Sequence, residues 1–231
     1  MRKKTLVFTA TYNESENIEE FLNSTIKLHE VDVLIIDDNS PDETSKIIEK
    51  YQSKYKNLFL IKRPGKLGLD TAHKEGYNFA LKNNYKNLIT LDADLSHDPS
   101  QIPSFIKILN DNAFVIGSRY ISGGKNEMKL SRLILSYLGN KLIKLIFNIN
   151  CNEYTTSYRG FNFNLLKNFE IEDVESKGYS FFMETVFQIH KSGNFIKEVP
   201  IVFSDRKKGV SKIPKIETFR TLKNLILLKI K

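Results

Sequence analysis

The sequence predicts an α/β fold with a mostly parallel, Rossmann-like sheet at its centre. Short apolar runs typical of strands begin at Thr5, Val31, Leu58, Asn87 and Ala113. Amphipathic segments with helical spacing separate these runs. Because strand–helix–strand connections are right-handed and lay their helices against the sheet, we expect helices on both of its faces.

The elements follow one another without a repeat or a low-complexity linker, so we expect residues 1–231 to form a single domain. Strands are predicted at 5–10, 31–36, 58–61, 87–91 and 113–116. Helices are predicted at 15–26, 43–55, 71–83, from about residue 99, at 130–149, and over a segment that reaches residue 190.

Lysine and arginine outnumber aspartate and glutamate by 35 to 27, which gives a net charge of +8. A basic surface suits nucleic acid, an anionic membrane face or phosphorylated small molecules. We expect no nucleic-acid partner, because the sequence contains no RNA- or DNA-binding motif. The single cysteine, Cys151, excludes an internal disulfide and favours a reducing compartment. No segment has the pattern of a signal peptide or a membrane span, so a cytoplasmic location is expected.

Polar clusters follow the ends of three predicted strands. Tyr12 and Glu14 follow the first strand, Asp38 the second, and Asp92 and Asp94 the fourth. The carboxyl ends of parallel strands meet at one edge of the sheet, where α/β proteins bind ligands. Residues i and i+2 of an extended chain point to the same side, so Asp92 and Asp94 can face one spot. Carboxylate oxygens suit Mg²⁺ or Mn²⁺, which in turn bind phosphates.

Helix capping is the alternative interpretation of the second cluster, because Asp38, Asn39 and Asp42 precede a predicted helix. The recurrence of such clusters at strand ends favours a ligand site for Asp38. Neither a dinucleotide-binding glycine motif nor a P-loop is present.

Short motifs recur along the chain in an informative order. They are Ala10–Glu14, Asp37–Asp42, Lys66–Leu69, Asp92–Leu95, Gly117–Tyr120, Glu153–Arg159, Glu198–Ile201 and the stretch from Phe203 to Lys212. In this order and spacing the chain resembles the inverting family 2 glycosyltransferases, and within them the polyprenyl-phosphate sugar synthases of the dolichol-phosphate mannose synthase type. The resemblance covers nearly the whole chain.

The resemblance implies a GT-A fold and a nucleotide-sugar donor, usually GDP-mannose. It implies that Asp92 and Asp94 hold the donor together with Mg²⁺ or Mn²⁺. The donor-binding residues that it implies are Ala10, Tyr12, Glu14, Ile36, Asp38, Asp92, Ala93, Asp94 and Ser96. Five positions depart from the family pattern: Ala10 replaces a proline, Ser96 a glutamine, Ser157-Tyr158 a Gly-Phe pair, and Glu153 an aspartate.

The division expected within the domain is a nucleotide-sugar-binding half, 1–115, and an acceptor- and membrane-facing half, 116–231. The resemblance implies that a polyprenyl phosphate is the acceptor and that Arg206 and Lys212 bind phosphate. The acceptor phosphate is therefore expected on Arg119, Arg132, Arg206 and Lys212, and the catalytic set is Asp94, Arg119, Arg206 and Lys212.

The predicted helix at 130–149 is amphipathic and basic, and the tail at 219–231 is apolar and basic. Packing against the sheet and contact with a membrane surface both explain such a helix. We expect peripheral association with the cytoplasmic face of a membrane, and a separate membrane-anchoring subunit is left open as a partner.

The chemistry of the acceptor determines whether the enzyme needs a general base. A phosphate monoester is largely dianionic at neutral pH and attacks without a strong general base. An acceptor hydroxyl would need one, and Glu184 is the candidate in that alternative. A third alternative is a non-catalytic relative that binds a nucleotide sugar. The four histidines are not expected to act in catalysis, although His97 lies near the expected metal.

Overall fold

The computed structural model describes residues 3–205 and 217–230. Its centre is a seven-stranded sheet in the order β3-β2-β1-β4-β7-β5-β8, and β6 pairs with β9 in a small second sheet. The strands are β1 (Lys3–Thr11), β2 (Val31–Asp37), β3 (Leu58–Lys62), β4 (Tyr85–Thr90), β5 (Phe114–Ser118), β6 (Lys125–Asn126), β7 (Arg159–Asn162), β8 (Ile196–Pro200) and β9 (Val202–Phe203).

Seven α-helices accompany these strands in the described residues. They are α1 (Ile18–Thr25), α2 (Thr44–Gln52), α3 (Leu69–Lys82), α4 (Ile102–Leu109), α5 (Leu130–Phe147), α6 (Ser180–Lys191) and α7 (Glu217–Ile230). Helices α1, α2 and α4 contribute to the apolar core on one face of the sheet. Helices α3, α5, α6 and α7 contribute to the core on the other face. The predicted α/β fold with helices on both faces is confirmed.

Alternation along the strands explains why both faces are covered. In β2, Leu34 and Ile36 belong to one core, whereas Val33 and Ile35 belong to the other. Successive residues of a strand point to opposite faces, so a continuous apolar run must be buried on both sides.

The antiparallel strand β7 was not predicted from the sequence. It lies between β4 and β5 and runs against both, whereas all other neighbouring strands of the large sheet are parallel. Its four residues include Arg159 and Gly160, so they lack the apolar pattern of a strand. A side chain at Gly160 would come within 2.7 Å of Leu109, so glycine allows α4 to pack closely here. The sheet is mostly parallel, as predicted, because β7 is its one antiparallel strand in the described chain.

Within residues 3–205 and 217–230, every helix is too short or too polar to cross a bilayer. The carboxyl ends of β1, β2 and β4 lie side by side at one edge of the sheet. The polar clusters that follow these strands therefore meet at that edge.

Candidate active site

A cleft of about 700 Å³ opens at the carboxyl ends of the central strands. Residues from both halves of the chain line it. Eight of the nine residues expected to bind the donor are on its wall, as are Arg119 and Arg132: the eight are Ala10, Tyr12, Glu14, Asp38, Asp92, Ala93, Asp94 and Ser96. Of these expected residues, Ala10 and Arg132 are 122 positions apart in the sequence, and the structure brings them to one cleft.

Ile36 is the exception. It has no exposed surface and packs with Leu34 in the core below the cleft. The expectation that Ile36 lines the donor pocket is wrong in this structure, because the alternation along β2 turns its side chain into that core.

Local hydrogen bonds fix the carboxylate of Asp94. Its Oδ1 accepts hydrogen bonds from the Ser96 backbone N–H at 3.1 Å and from the Ser96 hydroxyl at 2.6 Å. Leu95, between them, has a left-handed φ of 61°. Asp94 is only 4% exposed, whereas the side chain of Asp92 is 40% exposed. Ser96 therefore orients Asp94 at the cleft wall.

His97 connects this turn to the second half of the chain. Its Nε2 lies 3.0 Å from the Thr156 hydroxyl, and its Nδ1 lies 3.4 Å from the backbone nitrogen of Asp92. Burial lowers the pKa of His97 to about 4, so the ring is neutral at pH 7. The hydrogen-bond network assigns the proton to Nε2, because Nδ1 accepts from the Asp92 N–H. His97 therefore has a structural role in positioning the turn.

Asp38 does not cap the following helix. Its Oδ1 accepts a hydrogen bond from Arg63 Nη1 at 2.6 Å, and its Oδ2 accepts one from the Gly68 N–H at 3.2 Å. The side chains of Asp37 and Asp42 bind hydroxyl and backbone groups around the start of α2 instead. Asp38 thus orders the 63–68 loop on the cleft wall. Sequence analysis did not predict that Arg63 pairs with Asp38. The position of Arg63 directly after β3, at the same edge of the sheet, could have indicated this.

The residues that would hold a metal ion are Asp92 and Asp94. Within the described residues, no group of three or more His, Cys, Asp or Glu side chains is arranged to bind a metal. Two carboxylates at a cleft wall fit a hard divalent cation whose other ligands are water and phosphate oxygens. These two carboxylates therefore suit a metal ion that binds together with a diphosphate.

Arg119 is already paired inside the protein. Its Nε and Nη2 donate to Glu153 Oε2 and Oε1 at 2.7 and 2.9 Å, and both side chains are buried. Burial opposes charge on both groups, but each partner stabilises the ionised form of the other. The pKa of Arg119 is raised and the pKa of Glu153 is lowered as a result. The guanidinium also lies 5.0 Å from the Phe203 ring. The charge of Arg119 is therefore largely compensated, which the sequence analysis did not anticipate.

Of the other expected acceptor residues, Arg132 lies within the described part of the chain. Arg132, on α5, lies 3.4 Å from Asp205 Oδ1, and both side chains are partly exposed. Arg206 and Lys212 lie outside the described residues, and their roles stay predictions.

Comparison with known proteins identifies the family. The model of Glycosyl transferase family 2 matches residues 6–169, which is more than half of the chain. The chain is a family 2 glycosyltransferase. The resemblance inferred from its motifs is confirmed.

Two relatives are similar to this glycosyltransferase over most of its length. Undecaprenyl-phosphate mannosyltransferase of Micrococcus luteus is 32% identical over 212 residues, which cover 91% of this chain and 87% of the relative. Polyprenol monophosphomannose synthase of Mycolicibacterium smegmatis is 31% identical over 218 residues, which cover 91% of this chain and 81% of the relative.

Solved structures show the GT-A fold. Glucosyl-3-phosphoglycerate synthase from Mycobacterium tuberculosis, in complex with Mn²⁺, UDP-glucose and phosphoglyceric acid, matches with a TM-score of 0.69 and 16% identity over 98% of this chain and 78% of that one. Mannosyltransferase PcManGT from Pyrobaculum calidifontis, in complex with GDP-mannose and Mn²⁺, matches with a TM-score of 0.57 and 19% identity over 90% of this chain and 59% of that one.

Glu184 lies away from the cleft of the glycosyltransferase. It is 1% exposed, and its carboxylate accepts hydrogen bonds from the Ser176 N–H at 2.6 Å and from Gln188 Nε2 at 3.3 Å. Four charged residues outside the expected site set also line the cleft, namely Lys66, Asp70, Lys177 and Asp205. The Lys66 ammonium lies 4.1 Å from the centre of the Tyr12 ring.

Proposed function

We propose that this glycosyltransferase transfers a mannosyl group from GDP-mannose to a polyprenyl monophosphate and inverts the anomeric centre. The observation that carries the proposal is one cleft lined by Asp92 and Asp94 together with Arg119 and Arg132. Such a cleft suits two phosphorylated substrates, one bound through a metal and one through cations. The names of both relatives, which match over nine-tenths of this chain, support the same donor sugar and acceptor class.

On the donor side, Asp92 and Asp94 would hold Mg²⁺ or Mn²⁺, which would act as a Lewis acid toward the departing diphosphate. The hydrogen bonds from Ser96 keep Asp94 in one orientation, so the carboxylate needs little rearrangement to bind. Ala10, Tyr12, Glu14 and Asp38 would surround the nucleoside on the same wall.

On the acceptor side, the phosphate monoester attacks the anomeric carbon from the face opposite the leaving group. Its dianion is the nucleophile, so no side chain has to remove a proton. The enzyme has to bring two anions together, and Arg132 with Arg206 and Lys212 would offset their repulsion. A hydroxyl acceptor is less well supported, because Glu184 is buried away from the cleft and engaged with Ser176 and Gln188.

The α5 helix supports a lipid acceptor. It contributes Arg132, Leu135 and Ser136 to the cleft wall. The same helix exposes a set of large apolar side chains, which are Leu130, Ile134, Leu138, Leu142 and Leu145. An apolar helix surface continuous with a phosphate-binding cleft suits an amphiphile whose chain stays in the bilayer. We propose that this surface lies on the membrane.

A donor and acceptor screen tests the reaction. GDP-mannose, GDP-glucose, UDP-glucose and UDP-N-acetylglucosamine are each incubated with the full chain, a polyprenyl phosphate, and Mg²⁺, Mn²⁺ or a chelator. Mass spectrometry should detect mannosyl-phosphoryl-polyprenol with GDP-mannose and metal, and NMR should show a β linkage. The matching polyprenol without phosphate is the control. Product from that alcohol, or a larger yield from a uridine nucleotide, would overturn the corresponding part of the proposal.

Vesicle flotation tests the membrane surface separately. Leu138→Glu and Leu145→Glu should reduce the fraction that floats with vesicles containing anionic lipid. Phe195→Glu is the matched control, because Phe195 is 78% exposed and lies just before β8, at the opposite end of the strands. An equal loss in all three variants would exclude α5 as the contact.

A further inference from the structure

Two buried carboxylates that hold a turn at the cleft wall have no part in the reaction proposed above. Asp70 is 8% exposed and Glu184 is 1% exposed. Asp70 Oδ1 accepts a hydrogen bond from the Gly178 N–H at 2.9 Å, and Glu184 Oε2 accepts one from the Ser176 N–H at 2.6 Å. Both carboxylates therefore hold the same short turn, at positions two residues apart.

Lys177 lies between these two anchored amides. Its exposed side chain lines the cleft, and the neighbouring Gly178 has a left-handed φ of 62°. Asp70 belongs to the first turn of α3, and Glu184 lies in the interior of α6. Two helices that pack against the sheet thus fix the backbone on both sides of this lysine.

The charge environment distinguishes Lys177 from the other cations of the cleft. Arg119 is paired with Glu153, Arg132 with Asp205, and the Lys66 ammonium lies over the Tyr12 ring. Among the described residues, Lys177 has no carboxylate within ion-pair distance. A backbone held this firmly, with an uncompensated charge at the wall of a cleft, is what recognition of an anionic ligand requires.

We propose that Lys177 binds a phosphate group in the cleft, and that Asp70 and Glu184 are positioning residues for it. The inference rests on the proposed function, which supplies two phosphate sources, the donor diphosphate and the acceptor monophosphate. Lysine suits either source, because its ammonium binds phosphate as a point charge without a fixed bidentate geometry.

The first experiment replaces the lysine. Lys177→Ala, Lys177→Arg and the control Lys191→Ala, at the exposed end of α6, are compared in the transfer assay and by calorimetry with GDP, UDP and a short prenyl monophosphate. Lys177→Ala should weaken binding of one phosphate ligand about 5- to 20-fold, and Lys177→Arg should restore most of it. If nucleotide binding is weaker, Lys177 binds the donor diphosphate. If the acceptor KM rises and prenyl phosphate binding is weaker, Lys177 binds the acceptor phosphate.

The second experiment tests the positioning role. Asp70→Ala frees the Gly178 amide, whereas Asp70→Asn keeps an oxygen that can accept its hydrogen bond. Asp70→Ala should weaken binding of the same phosphate ligand about 3- to 10-fold, and Asp70→Asn should bind it nearly as tightly as the wild type does. In the Lys177→Ala background the further loss from Asp70→Ala should disappear. A loss of equal size in both backgrounds would overturn the positioning role.

The calorimetry separates failure of this inference from failure of the proposed function. Wild-type protein that binds these phosphate ligands but transfers no sugar would refute the proposed reaction, and the variants would still test Lys177. Wild-type protein that transfers mannose, with all binding and kinetic constants unchanged in Lys177→Ala, would refute the inference alone.

Discussion

The two walls of the cleft are built in different ways. The donor wall, defined as Ala10–Glu14, Asp38 and Asp92–Ser96, follows the ends of parallel strands. It is ordered mainly by hydrogen bonds from hydroxyl and backbone groups, with one buried ion pair from Arg63 to Asp38. The acceptor wall, defined as Arg119, Arg132, Glu153 and Asp205, is ordered by ion pairs between residues 34 and 73 positions apart.

The difference affects how much charge each wall exposes to a ligand. Asp92, on the donor wall, keeps 40% of its side chain exposed. On the acceptor wall, the buried Glu153 compensates Arg119, and Asp205 partly compensates Arg132. Among residues 3–205 and 217–230, the cleft therefore presents less uncompensated positive charge than its two arginines suggest.

The largest expected effect lies on the donor wall. Asp94→Asn should lower the rate of transfer at least 100-fold, because the amide is a poor ligand for the divalent cation. The fold should persist, because asparagine keeps an oxygen for the two Ser96 donors. Initial rates with Mn²⁺ measure the transfer activity, and a thermal melt measures whether the fold persists. Asp111→Asn, at an exposed position, is the control. A rate within threefold of the wild type would remove the metal from the donor wall.

The acceptor wall should be the more sensitive in stability. Glu153→Gln leaves the buried Arg119 charge without its partner, so the free energy of unfolding should fall by about 3 kcal/mol. Urea denaturation at pH 7 measures this change. Replacing both members, Glu153→Gln with Arg119→Met, should recover part of the loss because no buried charge remains unpaired. A change below about 1 kcal/mol in the single variant would mean that the pair behaves like an exposed one.

The aromatic packing between the two halves of the chain should lose stability at acidic pH. His73 contacts the ring of Phe8 in the first half and those of Phe181 and Phe182 in the second. Burial, with a smaller effect of Arg159, lowers its pKa to about 3. The unfolded chain binds a proton below about pH 6.5 whereas the folded protein does not, so stability falls as the pH decreases from 6.5 toward 3.

This residue should contribute about 1.4 kcal/mol per pH unit to that loss well below pH 6.5. His73→Leu should therefore give a shallower decline of the unfolding free energy between pH 6.5 and 4.5, measured by denaturant titrations. The slope is the readout, whatever the stability of the variant at pH 7. His29→Leu, at an exposed position, controls for the substitution itself. Equal slopes in the wild type and His73→Leu would contradict the burial of a neutral ring.

The smallest expected change in stability separates Arg132 from Arg119. The pair of Arg132 with Asp205 is partly exposed, so Arg132→Ala should change the unfolding free energy by less than about 1 kcal/mol. The KM for polyprenyl phosphate should nevertheless rise roughly 5- to 10-fold, because one phosphate contact is lost. Lys141→Ala on the same helix, outside the cleft, is the control. An unchanged KM would remove Arg132 from the acceptor site.

Sequence analysis placed most residues of the donor wall at one edge of the sheet, because that arrangement follows from local patterns. A polar cluster directly after an apolar run marks the carboxyl end of a strand, and parallel pairing brings such ends together. Ile36 was placed wrongly, although alternation along β2 contains the signal that sends it into the core with Leu34. The strand β7 carried no such signal, because a buried arginine and a glycine interrupt its pattern.

The sequence by itself determined the α/β class, the family and the order of the strand ends. These follow from the periodicity of apolar residues and from the spacing of motifs, which are both properties of the linear chain. Only the tertiary structure decided which charges remain available in the cleft. Glu153 faces Arg119, and Asp70 and Glu184 hold the turn that carries Lys177, across separations of 34, 108 and 8 residues. Such partners are chosen by how helices pack on the sheet, and no local pattern records that choice.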